Sequence, residues 1–294
     1  MRTSKKKHGQ IVLHLVFIFI SIVFIAPLLL VISSSLSSED ALMRGGFTLI
    51  PRGFTTQAYQ MIFEKPIQIF NSYRTTILYS FAGTMLGVLV MGLMAYPLAR
   101  PNFVLRKPVN FIVLFTMLFS GGMVPSYLVN TRYLHLDNTI WIYILPALVV
   151  AYHVFVLKAG YKGVPEELID AAKVDGANEF YICFKIVMPL SKATLATIAF
   201  LNLVSLWNNW MTSSIYIQNP ELYSLQYLLQ RILKEAEFMK QLAEEGQLLS
   251  ISGLTPLESL RYAMAIVMAG PMLVIFPFFQ KYFVKGMTLG AVKG

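Results

Sequence analysis

Apolar residues in this chain gather into six long runs, near 11–34, 75–98, 109–129, 138–157, 193–213 and 260–282. A bilayer-crossing helix needs about 20 mostly apolar residues, and each run supplies that length. None carries Asp or Glu in its interior. The pattern predicts an all-α membrane protein with six transmembrane helices. Breakers fall inside several runs: Pro27, Pro146, Pro271, Pro277, and Gly121-Gly122 followed by Pro125. Backbone groups freed at such kinks need protein or water partners. Gly83-x-x-x-Gly87 in the second run predicts close helix packing.

The stretches between the runs have patterns of their own. Residues 35–74 and 214–259 form two long loops. In the second, Asn219-Pro220-Glu221 places a capping residue, a first-position proline and an acid at a helix start. Leu222, Leu225, Leu229, Ile232, Ala236 and Met239 then recur at spacings of three and four, which predicts an amphipathic helix of roughly six turns. Lys234, Glu235, Lys240 and Glu244 occupy its other faces, and Gly246 marks its end. Thr255-Pro256-Leu257-Glu258 has the spacing of a capping box before the last run.

Composition agrees with a membrane class. Of 294 residues, 56% are hydrophobic and 13% charged, against about 45–50% and about 25% in soluble domains. The net charge of +9 is spread as short basic blocks between apolar runs, not as one face for nucleic acid. Arg2, Lys5, Lys6 and Lys7 precede the first run like a signal-peptide n-region, but that run exceeds the usual apolar length of about 7–15 residues and no A-x-A site comes after it. It is read as a retained span. Basic residues of the short loops, among them Arg100, Arg106, Lys107, Lys158 and Lys162, give an N-in, C-in orientation. Residues 1–10 and 283–294 are then cytoplasmic, and 11–282 form one membrane domain. Cys183, a lone cysteine, excludes an intramolecular disulfide and reads as a small apolar filler.

Catalytic signatures are missing. The chain has no G-x-x-x-x-G-K-[ST], no G-x-S-x-G, no H-E-x-x-H and no acid pair within a span. An ion-coupled carrier commonly relies on ionisable residues inside its spans. Only His14 and His153 offer themselves, both near predicted cytoplasmic ends.

The 164–189 segment between the fourth and fifth runs is polar by comparison. Val164-Pro165-Glu166-Glu167 starts a helix with acids at its positive end. Leu168, Ala171, Ala172 and Val174 come next at helical spacing, and Gly176 suits a left-handed stop. A second short helix is predicted over about 177–187, with Phe180, Phe184 and Val187 on one side and Pro189 breaking the chain after it. Two short helices at an angle, with small and aromatic surfaces, suit a knob that fits a groove on another protein.

The run Asp170-Ala171-Ala172, Lys173-Val174-Asp175, Gly176, nine residues, Ile186-Val187-Met188-Pro189 resembles the EAA signature of ABC importer permeases, E-A-A-x-x-x-G-x9-I-x-L-P. Asp170 stands for the first Glu and Met188 for the Leu, each keeping the chemistry. The remainder resembles carbohydrate-importing permeases of the MalG kind, with the LplC/YtcP-type subgroup nearest in likeness. Phe119 through Leu128, Leu206-Trp207-Asn208-Asn209-Trp210, and the tail Gly286 through Gly294 carry that likeness.

The resemblance implies a bacterial plasma-membrane importer of oligosaccharides. Its partners would be a second homologous permease, two cytoplasmic ATPase subunits holding ATP and Mg, and an external solute-binding protein. This chain would be no enzyme and hold no cofactor or metal. The EAA segment would be the coupling helix: Ala171, Ala172 and Gly176 allow close approach, Asp170 and Asp175 cap or pair with basic groups, Phe180 and Phe184 anchor, and Pro189 ends the segment. Trp207, Asn208, Asn209 and Trp210 are candidates for a sugar path, since aromatic faces stack on sugar rings and amides bond hydroxyls. An interfacial aromatic belt explains the tryptophans equally. A non-sugar solute, or ion-coupled transport, are the alternatives.

Overall fold

The computed structural model describes residues 2–244 and 256–291, and every described element is helical. In chain order these are α1 Arg2–Ser35, α2 Glu39–Gly45, α3 Gln57–Ile62, α4 Pro66–Ala99, α5 Arg106–Leu118 and α6 Met123–Leu128, the last extended by a π turn Val129–Tyr133. Then come α7 Trp141–Ile144 with a 3-10 turn Leu145–Ala147, α8 Ala151–Lys162, α9 Glu166–Val174 and α10 Glu179–Tyr181. A π turn Ile182–Val187 leads into α11 Met188–Leu190, and beyond it lie α12 Lys192–Trp207, α13 Met211–Tyr216, α14 Leu225–Glu244 and α15 Leu257–Ala291. The expected helix stop at Gly246, the cap at Thr255 and the end of the tail, 292–294, lie outside the described residues.

Among the described residues, three stretches are long and apolar enough to cross a bilayer: Leu13–Ser35 in α1, Pro66–Ala99 as α4, and Leu257–Tyr282 in α15. Three bent pairs bring the number to as many as six. They are Arg106–Leu118 with Met123–Tyr133, at 111°, Trp141–Ala147 with Ala151–Lys162, at 53°, and Glu179–Leu190 with Lys192–Trp207, at 82°. The bends fall near the sequence breakers, at Gly121-Gly122, after Pro146, and at Ser191 after Pro189. Pro27 and the later Pro271 and Pro277 interrupt no helix.

Two element boundaries differ from expectation. The second long helix starts at Pro66, not near 75, so the first long loop is shorter and carries α2 and α3. Its first turns carry Gln68, Asn71, Ser72 and Arg74, which a hydropathy reading leaves outside the run; next to them, Thr75 Oγ1 donates to the Glu221 carbonyl at 3.1 Å, and Thr76 Oγ1 accepts from Leu225 N at 2.9 Å. The amphipathic helix starts at Leu225, not at 220. Asn219 accepts from Glu221 N at 3.0 Å but caps only the 3-10 turn Pro220–Leu222. The chain is then extended at Tyr223, and Ser224 Oγ accepts from Tyr227 N at 3.3 Å, capping α14. Leu225, Leu228, Leu229 and Ala236 are buried on that helix.

The residues pack as two units, Met1–Ile69 with Leu229–Pro271, and Phe70–Leu228 with Met272–Gly294. In the first unit, Ser38 N donates to the Arg52 carbonyl and Thr55 N to that of Leu36, closing the loop that carries α2. Glu39 is buried, and its carboxylate accepts from Glu258 N at 3.1 Å with either oxygen and from Ser259 N at 3.3 Å. A carboxylate at the positive end of α15 satisfies donors that the helix itself cannot. Glu258 accepts from Arg261 at 2.6 Å; the capping box expected with Thr255 lies outside the described residues.

In the second unit the GxxxG expectation holds. A methyl added at Gly83 would lie 2.9 Å from Leu206 Cδ1, and one at Gly87 would lie 3.0 Å from Asn202 Nδ2 and 3.3 Å from the Leu148 carbonyl. Glycine there lets α4 lie against α12 and the 145–150 bend. One apolar cluster joins Met91, Ala95 and Leu98 of α4 to Val154 and Leu157 of α8 and Ile198 of α12. Another centres on Tyr79 and Tyr143, whose rings stack at 4.2 Å.

Candidate functional site

The 164–191 segment folds as two short helices joined at a glycine. Pro165 precedes α9 at its cap position, and Glu166 and Glu167 fill the first turn. At the far end Gly176 takes φ +81°, and Ala177 N reaches back to the Ala172 carbonyl at 2.9 Å. That is the left-handed stop expected from the sequence, and a side chain there would strain the backbone. Asn178 then caps the next helix by accepting from Tyr181 N at 2.8 Å.

The second helix runs on from Glu179 to Leu190, so Pro189 sits in its last turn and the break comes at Ser191. Phe180, Phe184 and Val187 do not share a side. Phe180 and Phe184 are 72% and 42% exposed, whereas Val187 is 1% exposed. The π turn Ile182–Val187 is the reason, because its wider winding rotates the later residues away from the direction an α-helix would give them.

The segment therefore has two faces. Ile169, Ile182, Cys183 and Val187 point into the same apolar cluster as α4 and α8. Ile169 does not figure in the sequence pattern, which runs through its neighbours Leu168, Ala171 and Val174. The other face shows Asp170, Ala171, Val174, Asp175 and Gly176 with the two phenylalanines, and Ala172 is half-buried. Among the described residues, Asp170 and Asp175 make no side-chain hydrogen bond or ion pair. The lysine-to-acid contact of the segment is elsewhere: Lys173 Nζ lies 2.9 Å from Glu179 Oε1, across the glycine turn.

Glu179 has a second partner, the hydroxyl of Tyr96 in the last turns of α4, which donates to Oε2. The guanidinium of Arg100 sits over the Tyr96 ring, 5.2 Å from its centroid. The Tyr96 hydroxyl, then Lys173 and Arg100, hold the Glu179 carboxyl below the usual glutamate range, against the opposing effect of burial. A cavity of about 600 Å³ opens between α4, the 100–103 turn, α9 and the start of α10, with Tyr96, Arg100, Asp170, Lys173, Glu179 and Phe180 on its wall. Sequence reading groups Glu179 with Asp170 and Asp175 as acids for a partner, and misses Tyr96 and the gathering of Glu179 and Arg100 around it. Nothing local marks them, since Tyr96 and Glu179 are brought together across 83 positions of chain.

The four candidates for a sugar path are not alike. Trp207 is 1% exposed and belongs to the interior. Asn208 ends α12, donating to the Val204 carbonyl at 2.9 Å and accepting from Gln226 Nε2 at 3.0 Å. Asn209 caps α13 through Thr212 N at 3.1 Å, and Trp210 is half-buried beside it. Each asparagine already has a local structural task. Among the described residues, no cluster of three or more His, Cys, Asp or Glu could hold a metal.

Comparison with known proteins adds a consistent picture. Residues 76–289 match the family described as the binding-protein-dependent transport system inner membrane component. The chain is 36% identical over 276 residues to the polygalacturonan/rhamnogalacturonan transport system permease protein YtcP of Bacillus subtilis, covering 93% of this chain and 94% of that one. It is 33% identical to protein LplC of the same organism, over 92% and 90% of the two chains. An arabinooligosaccharides transport system permease protein AraQ of Halalkalibacterium halodurans is 30% identical, over 95% and 94%. Among solved structures, a chain of a bacterial ABC transporter involved in the import of the acidic polysaccharide alginate superposes with TM-score 0.73 at 27% identity, covering 95% of this chain and 98% of that one.

Proposed function

The chain belongs to the binding-protein-dependent transport system inner membrane components, and on that premise we propose that it is the permease subunit of an ATP-driven oligosaccharide importer. Its six apolar segments are taken as six spans with both termini cytoplasmic; two of them are bent, and the Glu179–Leu190 half of the third bent pair lies outside the membrane before the fifth span. With a second, homologous permease it lines the translocation path. Two ATPase subunits supply ATP and Mg chemistry, and an external binding protein delivers the sugar. This chain itself is a transport component, as its relatives are, and not an enzyme.

The observation that carries the reading is the two-faced 164–191 segment. Its inner face is anchored in the apolar cluster, while its outer face presents Asp170, Asp175 and the exposed Phe180 and Phe184 around a glycine turn. Exposed aromatics beside unpaired carboxylates are the anchors and charge partners of a protein interface. In this reading the outer face seats in an ATPase subunit, and the inner face delivers the resulting displacement to α4 and α8. Trp207 to Trp210 contribute to the path through the shape they give the outer end of α12.

The cargo is an oligosaccharide. Relatives are named for polygalacturonan and rhamnogalacturonan, for arabinooligosaccharides, and, among solved structures, for alginate. The test is uptake into proteoliposomes holding this chain, its partner permease and the ATPase subunits, with binding protein and labelled oligosaccharide outside. Uptake that requires ATP and the binding protein is expected. Uptake driven by a proton or sodium gradient without ATP would overturn the reading. Oligogalacturonides, arabinooligosaccharides and a non-sugar solute offered in parallel to the binding protein distinguish the cargo classes.

A further inference from the structure

The contact between the 164–191 segment and α4 has two parts of different character. The apolar part, Ile169, Ile182, Cys183 and Val187 against Met91, Ala95 and Leu98, has no direction and tolerates sliding. Toward the cytoplasmic end of α4 the cavity of about 600 Å³ removes packing support between α9 and the helix end. Across that gap a directed tie exists, from Tyr96 to Glu179. Glu179 is also held by Lys173 at 2.9 Å. One carboxylate thus gathers α9, the start of α10 and the end of α4.

Where Glu179 sits gives the tie its leverage. It is the first residue of α10, just beyond the left-handed Gly176 turn. Lys173 is in the last turn of α9, so its ion pair with Glu179 spans the turn and sets the angle between the two short helices. Tyr96 is 7% exposed and rigidly placed among its cluster neighbours Ala95 and Ala99 on α4. Arg100, one turn on, adds positive charge beside the carboxylate.

We propose that Glu179 is a positioning residue for coupling: by holding Tyr96 and Lys173 together it latches the two-helix segment to the end of α4, so that displacement of the segment moves that helix. The proposal rests on the reading of the segment as the ATPase contact. Glu179 itself faces α4 and needs no contact with the ATPase subunit. Without the latch, the segment still docks, but its displacement is partly absorbed by rotation over the cavity.

The test uses the assembled transporter in proteoliposomes, with binding protein loaded by oligogalacturonides or arabinooligosaccharides, whichever it takes. Rates are expressed per assembled complex. Tyr96→Phe removes the hydroxyl alone, and Glu179→Ala removes the carboxylate. In both, the ATPase subunits are expected to co-purify at the wild-type level. Binding-protein-stimulated hydrolysis should fall roughly three- to tenfold, the range for a lost charge-assisted hydrogen bond that is partly exposed, and sugar moved per ATP should fall with it. The double variant should be no worse than the worse single, because both act through one contact. Glu179→Gln, which can still accept from Tyr96, should recover part of the loss. Wild-type stimulation in Tyr96→Phe, losses that multiply in the double variant, or a loss confined to yield would each overturn the latch. Gly176→Val separates the two claims. If that variant keeps full ATPase association, the docking reading falls. If it loses association while Tyr96→Phe couples normally, only the latch falls.

Discussion

The 164–191 segment joins α8 to α12 and the 217–225 connection joins α13 to α14, yet they treat their polar groups in different ways. In the 217–225 connection the backbone groups that leave regular structure are met within the chain, while the Gln218 and Glu221 side chains are exposed. Gln218 N and Asn219 N share Asn138 Oδ1, at 3.1 and 2.8 Å. Tyr143 donates to the Leu222 carbonyl at 2.9 Å, Ser224 N to Ser213 Oγ at 2.9 Å, and Leu225 N to Thr76 Oγ1 at 2.9 Å. In the 164–191 segment the backbone is capped with equal care, but the outer side chains are left over. In the proposed reading, the charged and aromatic face left over on the 164–191 segment is the one a partner covers, and that segment transmits where the 217–225 connection holds the fold.

The largest effect should come from breaking the self-satisfied side. Ser213 is fully buried, and its Oγ sits 2.6 Å from Tyr143 Oη while accepting from Ser224 N. Ser213→Val strands a buried amide and one bond of a buried tyrosine, at about 1–3 kcal/mol for an unsatisfied buried group. The thermal midpoint of the purified complex should drop clearly, while ATPase association in the folded fraction is retained. An unchanged midpoint would mean that water or rearrangement replaces the bond, and the contrast between the two connections would weaken.

The second change acts on the reserved side. Around Gly176 nothing lies within 4 Å of an added Cβ, so crowding is no obstacle and only the φ of +81° resists substitution. Left-handed backbone costs a β-branched residue about 1–2 kcal/mol. Gly176→Val should therefore leave insertion and yield intact and weaken ATPase association by roughly tenfold in a pull-down, since relief of the strain re-aims α10. Gly176→Asn, which tolerates that conformation better, should lie between. Equal association for all three would remove the turn from the interface.

Smaller again is the contribution of a single anchor. Phe180 is 72% exposed, so Phe180→Ala should change the stability of the chain by no more than about 0.5 kcal/mol. Its association with the ATPase subunits should nevertheless fall measurably by titrated pull-down. A stability loss matching that of a buried residue would place Phe180 in the fold and not in the interface.

Legibility in the sequence depends on the range of the interaction. The Gly176 stop, the acids opening α9 and the bends at Gly121-Gly122 and after Pro146 rest on neighbours a few residues apart, and they are read directly. The start of α14 is misread at Asn219 because the competing bonds come from Ser213, Tyr143 and Thr76, which lie outside the local pattern. The inward turn of Val187 depends on a π turn, which helical periodicity assumes away. Trp207 next to an asparagine pair looks like an exposed belt in sequence and is enclosed in the fold. Tyr96 and Glu179, like Glu39 and the start of α15, 219 positions away, meet only after the helices have packed.

The smallest effect is a titration. Glu179 is held below the ordinary glutamate range by the Tyr96 hydroxyl first, and by Lys173 and Arg100 after it. A carboxylate with a depressed pKa in the folded state contributes stability that is present above its unfolded pKa and is lost as pH falls through its folded pKa. Acidification from neutral toward that lowered value should therefore remove a small increment of stability, and the cost grows only below the usual glutamate range. The side chain is more than half exposed, so solvent screens the interaction and the increment is modest. Glu166 and Asp170 share the cavity wall, which makes the difference between wild type and Glu179→Gln the informative quantity. The thermal midpoints of the two should differ most at neutral pH and converge on acidification. A difference that stays constant, or widens as pH falls, would mean that the charge of Glu179 does not hold the segment to α4, and that the latch depends on shape alone.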